Sequence, residues 1–391
     1  MNALFLDPVD ILLFRGNRLF GEPGSHGDAL VPPWPSVVAG ALRSRMLVDE
    51  GIDLTRFAAN QIDHPELGSP AQPGPFAVTG LYLARLQPDS SPQECEMLMA
   101  APSDLVIAAI DRDGQEKAIE ARLMQPQRLH PALQHSGTLP LSPVLPQGSK
   151  RTKPTGGYWL TQRGWQQYLQ GMTPTASELV PSNQLWLLDD RVGVGLDSDT
   201  RSAREGQLFT VQTVSFQQDI GLMVTAEHAA LPQHGLLRLG GDGRAVHIVP
   251  VRPNLPTARV EDLLAHRRCR LVLTTPGIFR NGWLPNGFEL RDNGEMRLNL
   301  HGVHGRLVTA SIGRSEVISG WDLARRRPKP AERVVPTGSV YWLDELEATP
   351  EALAKLVDQG LWSAPCEDAQ RRAEGFNRLV LAPWAGDQTK H

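Results

Sequence analysis

Arginines set among glycines and small polar residues are the side chains best placed to do chemistry in this sequence, and that chemistry is phosphate recognition. The run RVGVGLDSDTRSAREGQLFT, from Arg191 to Thr210, gathers Arg191, Arg201 and Arg204 with Gly193, Gly195 and Gly206. A guanidinium offers a planar fork of donors to phosphate oxygens, and glycine lets a backbone approach a sugar-phosphate chain closely. The same run also reads as a solvated hairpin in which Ser202 and Glu205 form an S-x-x-E capping box. A second group comprises Arg15 and Arg18, in RGNRLFGEPGSHGD, with Arg43 and Arg45 beyond them. Arg325, Arg326, Arg327 and Lys329 are the densest positive run, fit for RNA, for a protein neighbour or for a solvated face. Lys150, Arg151 and Lys153 form a fourth cluster with the same open choice.

Enzyme signatures are sparse. There is no G-x-x-x-x-G-K-[ST], H-E-x-x-H or G-x-S-x-G. GGDGR at 240–244 reads as a turn between two strands. His301 and His304 in HGVH could ligate a metal, but no third ligand is near in sequence, and no metal or cofactor is expected. His26 in GSHGD is the histidine whose loop would suit a general base acting on an RNA 2′-hydroxyl, and a plain exposed loop residue is the simpler account.

Composition limits the setting. The formal net charge of −4 over 391 residues argues against binding nucleic acid through a global positive field, while leaving room for a local basic groove. With 41% hydrophobic and 21% charged residues, the chain is ordinary globular material, long enough for two domains. No apolar run approaches a membrane span and the N-terminus has no signal-peptide pattern, which implies a cytoplasmic protein. Cys95, Cys269 and Cys366 are far apart and odd in number, so buried thiols are expected. Trp34, Trp321 and Trp342 are candidates for exposed aromatics covered only in a complex.

These residues need elements to position them. Residues 3–14 suit a first strand. Residues 36–50 suit a helix with Ser36 as N-cap and Gly51 as C-cap. Strands are expected at 76–86 and 104–111, then a loop-like insertion at about 112–157 and a short helix at 163–170. With a last strand at 209–216 or 220–226, this order matches a β-α-β-β-α-β unit of ferredoxin-like or RRM-like type. The second half predicts strands at 235–239, 245–251, 270–275, 306–312 and 339–343, a helix at 350–358 closed by Gly360, a short helix near 367–373 and a final strand in RLVLAPW. The fold class is α+β, divided into residues 1–230 and 231–391.

Six segments in order resemble one family: DPVDILLFRGNRLF (7–20), PPWPSVVAGALRS (32–44), VGVGLDSDTRSAREGQLFT (192–210), LGGDGR (239–244), TPGIFRNGWLP (275–285), and VISGWDL followed by VVPTGSVYW (317–342). The set is similar to the third subunits of the Cmr complex, RAMP-superfamily proteins of type III-B CRISPR systems, and spans nearly the whole chain. The resemblance implies two ferredoxin-like RAMP domains with long loop insertions. It implies a non-catalytic subunit that holds the 5′ tag of the guide RNA (crRNA) beside the large polymerase-like subunit and the backbone RAMP subunits. Arg15 and Arg18 stand in the first motif, Arg43 in the second, and Arg201, Arg204 and Gly206 in the third. EGFNRLVLAPW departs from the family's glycine-rich final turn in having only Gly375. The rival reading is a RAMP endoribonuclease that processes repeat RNA, with His26 as base. The N-terminal half is expected to carry tag recognition, while Arg325 to Arg327, far along the second half, serve a neighbouring protein or more distant RNA.

Overall fold

A computed structural model describes residues 2–16, 25–87, 90, 93–110, 118–145, 153–197, 199–322, 325 and 327–384. In chain order the main elements begin with β1 (Asn2–Pro8), β2 (Ser25–Gly27), α1 (Pro35–Asp49), α2 (Leu54–Ala58), β3 (Ala77–Gln87) and β4 (Glu94–Ala100). Then come β5 (Tyr158–Leu160), α3 (Gln162–Leu169), β6 (Leu179–Pro181), β7 (Trp186–Leu196), β8 (Ala203–Phe216) and β9 (Ile220–Glu227). The remainder comprises β10 (Leu236–Arg238), β11 (Ala245–Val251), α4 (Val260–His266), β12 (Cys269–Leu273), β13 (Phe288–Leu290), β14 (Met296–Leu300), β15 (Val303–Ser311), β16 (Val340–Glu347), α5 (Pro350–Gln359), α6 (Ala369–Ala373) and β17 (Leu379–Ala382). No described helix is long and apolar enough to cross a membrane.

The chain is a mixed α/β fold built on two large sheets. The first has the order β6-β5-β4-β3-β9-β1-β11-β10, the second β13-β14-β15-β16-β12-β17, and the pairings in both are antiparallel. β1 is apolar at consecutive positions because it is buried on both faces. Leu4 and Leu6 join the core under α1, with Val38, Ala39 and Leu42, while Ala3 and Phe5 join a core shared with the second sheet's Val272, Val340 and Trp342. The second sheet's other face, with Leu271, Leu307 and Leu343, is covered by Leu263 of α4 and by Leu353 and Leu356 of α5.

One buried polar network ties the halves together across the shared core. Arg270 of β12 donates to Asp104 Oδ2 at 2.6 Å, to the Tyr168 carbonyl at 3.0 Å and to the Pro383 carbonyl at 3.1 Å. The Tyr168 hydroxyl donates to Asp104 Oδ1 at 2.8 Å. Arg270 is 3% exposed and Asp104 is fully buried, so these bonds replace the water both groups have lost.

Several elements depart from the sequence-based expectations. The first strand stops at Pro8, and only isolated bridges continue it, Leu12 to Val214 and Arg15 to Ala29. Trp34, not Ser36, is the N-cap of α1. Pro35 occupies the first turn, where its missing N–H costs nothing, and no side chain caps the end. Strand 220–226 enters the first sheet as β9, whereas 209–216 belongs to the separate sheet β7-β8-β2. No helix follows Ser202, so the capping box does not form; β8 starts at Ala203 instead. β10 and β11 complete the sheet that begins with β1, so strand pairing carries the first unit to Val251 rather than to residue 230. Trp342 is 1% exposed and belongs to the core, not to an exposed face.

Candidate nucleic-acid interface

The PPWP turn sets the direction of α1. Trp34, extended at ψ 143°, precedes Pro35, and the helix then buries Val38, Ala39, Leu42 and Met46 against the first sheet. That leaves Val37, Gly40 and Arg43, spaced at i, i+3 and i+6, along the wall of a cleft of about 560 Å³. The opposite wall comes from the second half: Trp321, 56% exposed, and Lys329. Trp321 and Asp322 pair with Pro328 and Arg327 in a small hairpin, and this hairpin carries both residues to the cleft.

Charge in the cleft is partly compensated. Lys329 Nζ lies 2.7 Å from Glu374 Oε1, and Arg371 bonds Glu374 at 3.0 Å and Glu332 at 2.7 Å. Arg43 stands over the Phe76 ring with its guanidinium carbon 5.5 Å from the centroid, and no described residue forms an ion pair with it. Burial pushes its guanidinium pKa down, against the pull of Glu374. The cleft thus offers a half-buried arginine and an open indole face, a pair that grips a phosphate and stacks a base, beside a lysine already bonded to Glu374.

A hollow of about 280 Å³ adjoins the cleft, sharing Val37 with it, and is lined by Arg15, Trp34, Gly240 and Gly241. The GGDGR segment is the expected turn, joining β10 to β11. Its Gly241 N–H donates to the Leu13 carbonyl at 2.9 Å, and Gly240, at φ 81°, lies so close that a Cβ would meet the same oxygen at 2.5 Å. That approach requires glycine. Arg244 Nη1, 3.2 Å from Asp10, fixes the turn to the segment after β1. Arg15 is exposed, and the burial it does have pushes its pKa down.

The structure therefore brings Arg15 and Arg43 to adjoining hollows, and it places exposed Arg325 and Arg327 on the hairpin that supplies Trp321. The hairpin that bears Arg325 and Arg327 faces α1 across the cleft through Trp321 and Lys329. Arg18, Lys150, Arg151 and Arg326 lie outside the described residues, and Lys153 is exposed. The convergence of Lys329 and Trp321 on Arg43 joins residues far apart in the chain, and no local sequence signal could have revealed it.

Arg191, Arg201, Arg204 and Gly206 sit apart on the hairpin β7–β8, which projects with exposed Leu187, Leu188, Val192, Val194, Leu196 and Leu208. Arg191 pairs with Asp189 at 2.9 Å and Arg204 with Asp197 at 3.2 Å. Asp197 also accepts from the Thr200 and Asp199 backbone N–H groups at the turn, and these bonds with Arg204 hold its carboxyl below the usual range. Arg201 (φ 53°) and Gly206 (φ 73°) take left-handed turn conformations. From Trp186 to Thr210 five carboxylates face three arginines, so the arm is mildly acidic. Among the described residues no group of histidine, cysteine and acidic side chains is arranged to hold a metal, His301 and His304 included. His26 lies on β2.

A family model described as CRISPR-associated protein (Cas_Cmr3) matches residues 4–384. The chain belongs to the Cas_Cmr3 family. This meets the expectation drawn from the six ordered motifs. No individually curated sequence matches this Cas_Cmr3 chain. Among solved structures it is similar to a chain of the type III-B Cmr-beta complex bound to cognate target RNA, at 12% identity and TM-score 0.46 over 96% of each chain. A second chain, from Cmr-beta bound to cognate target RNA and AMPPnP, gives 13% and 0.43 over 87% of this chain and 86% of that one. A chain of the Csm3-Csm4 subcomplex of the type III-A interference complex gives 10% and 0.35 over 98% of this chain and all of the other.

Proposed function

We propose that this chain is a non-catalytic RNA-binding subunit of a type III-B Cmr effector complex, and that the cleft along α1 holds the 5′ tag of the guide RNA. The convergence of Arg43, Trp321 and Lys329 from both halves of the molecule carries the reading. A single strand laid there presents a phosphate to Arg43, beside which Lys329 and Arg371 engage Glu374, and a base to the indole, while Arg15 extends the track into the adjoining hollow. The partners on this reading are the large polymerase-like subunit and the backbone RAMP subunits, and the arm β7–β8 is the docking element, because exposed aliphatic side chains with a slight negative charge suit a protein surface better than phosphates. The RAMP arrangement of ferredoxin-like units is supported in the first half by the order β11-β1-β9-β3, in which α1 connects the first strand to the second and a long insertion separates the second from the third.

The test compares guide-RNA binding by assembled complexes across salt concentrations. Arg43→Ala is expected to reduce the slope of log K against log salt by about 0.7, the single-strand value for one phosphate contact. Trp321→Ala is expected to weaken tag binding by about 1–3 kcal/mol, roughly five- to 150-fold. An unchanged slope and affinity in the double variant would remove the cleft from the RNA path. Repeat RNA incubated with the chain alone is expected to remain intact; cleavage lost in His26→Ala would turn the reading to an endoribonuclease.

A further inference from the structure

A second cavity, of about 550 Å³, lies between the halves and is separate from the cleft along α1. Tyr82 of β3, Leu255 of the linker between β11 and α4, Leu353 of α5 and Leu381 of β17 give it apolar walls, and Ala354 and Val357 form an exposed rim. The volume falls within the range of sites for small organic ligands.

One side chain in this apolar setting lacks what buried charges need. Arg378 lines the cavity and is 7% exposed. Its guanidinium donates to two backbone carbonyls, of Asp358 and, at 3.3 Å, of Val78, while its Nε has no hydrogen-bond partner. Arg270 and Arg371 each have a carboxylate within 3 Å. Arg378 has none within ion-pair distance among the described residues. Burial pushes its pKa down and Arg372 adds to the fall, while Glu227, Asp358 and Tyr82 pull the other way from beyond contact. A buried cation without a counter-ion is costly, and a ligand that brings one recovers that cost.

We propose that this cavity binds a small amphiphilic monocarboxylate, its aliphatic or aromatic body between the sheets and its headgroup at Arg378. Glu227 and Asp358, which also line the cavity, set the charge limit. Arg378 pairs with one negative charge, and the second charge of a phosphate dianion would face Glu227 and Asp358 with no other cation among the lining residues. The inference is independent of the RNA reading.

Calorimetric titration of the full chain with octanoate and with 1-octanol tests it. One octanoate per chain is expected, bound at least tenfold more tightly than octanol. Arg378→Gln is expected to bring the two within about twofold of each other. Ala354→Trp, on the exposed rim, is expected to abolish binding of both with circular dichroism unchanged. Equal affinities in the wild type, or octanoate binding undiminished by Ala354→Trp, would overturn the proposal. These two measurements decide it even if Arg378→Gln fails to fold.

Discussion

Arg204 and Arg43 are both arginines at a surface, yet their surroundings suit them to different work. Arg204 is held by Asp197, which backbone N–H groups already keep ionised, so a phosphate arriving there must compete with a built-in anion. Arg43 rests on an aromatic face, and Glu374, the carboxylate that acts on its charge, is engaged by Lys329 and Arg371. Sequence separates neither case, because the deciding carboxylates are set by turn geometry and by long-range packing. The cysteines make a similar contrast. Burial pushes the Cys95 and Cys269 thiols up to about 12, while Cys366 is raised but only half-buried. Thiolate is the reactive form, so iodoacetamide should label Cys366 at least tenfold faster than the other two in the native protein, as read by mass spectrometry of time points. Equal labelling of Cys269 would mean that β12 opens readily.

At the scale of elements, the junction between halves rests on Asp104, Tyr168 and Arg270. Asp104→Ala leaves a buried guanidinium without its carboxylate and should cost about 3–5 kcal/mol. Tyr168→Phe removes one hydrogen bond to a charged group and should cost about 1.5–3 kcal/mol. Urea midpoints of the two variants measure the difference, and a mild effect of Asp104→Ala would show that the site relaxes or admits water. Helices α1 and α5 were legible because proline opens each and glycine follows each closely, signals that depend on the local backbone alone. β4 escaped notice for a reason that lies in its neighbour. Its sequence ECEMLMA carries glutamates and methionines with little strand preference, but Arg85 of β3 sits directly opposite Glu96 and bonds it at 2.9 Å, while Cys95, Met97 and Met99 enter the shared core. The S-x-x-E pattern at Ser202 misled in the converse way: a cap needs a helix behind it, and the β7–β8 ladder claims those residues first.

For the whole molecule, the division expected at residue 230 can be tested by cutting there. A fragment of residues 1–230 lacks β10 and β11 and the entire second sheet, so one edge of β1 and the face bearing Phe5 and Met223 would meet water. It should bind anilinonaphthalene sulfonate and lose the cooperative unfolding transition of the intact chain, measured by circular dichroism. A cooperative transition in the fragment would mean that its own core suffices. The same pairing also imposes a timetable on synthesis. β1 leaves the ribosome ahead of both of its sheet neighbours, β9 and β11, which are encoded more than two hundred residues later. At translation rates of about 5–20 residues per second the strand must wait roughly 12–50 s for its second partner. During that interval the apolar run ALFL is an unpaired nascent-chain segment, open to aggregation until its partners arrive.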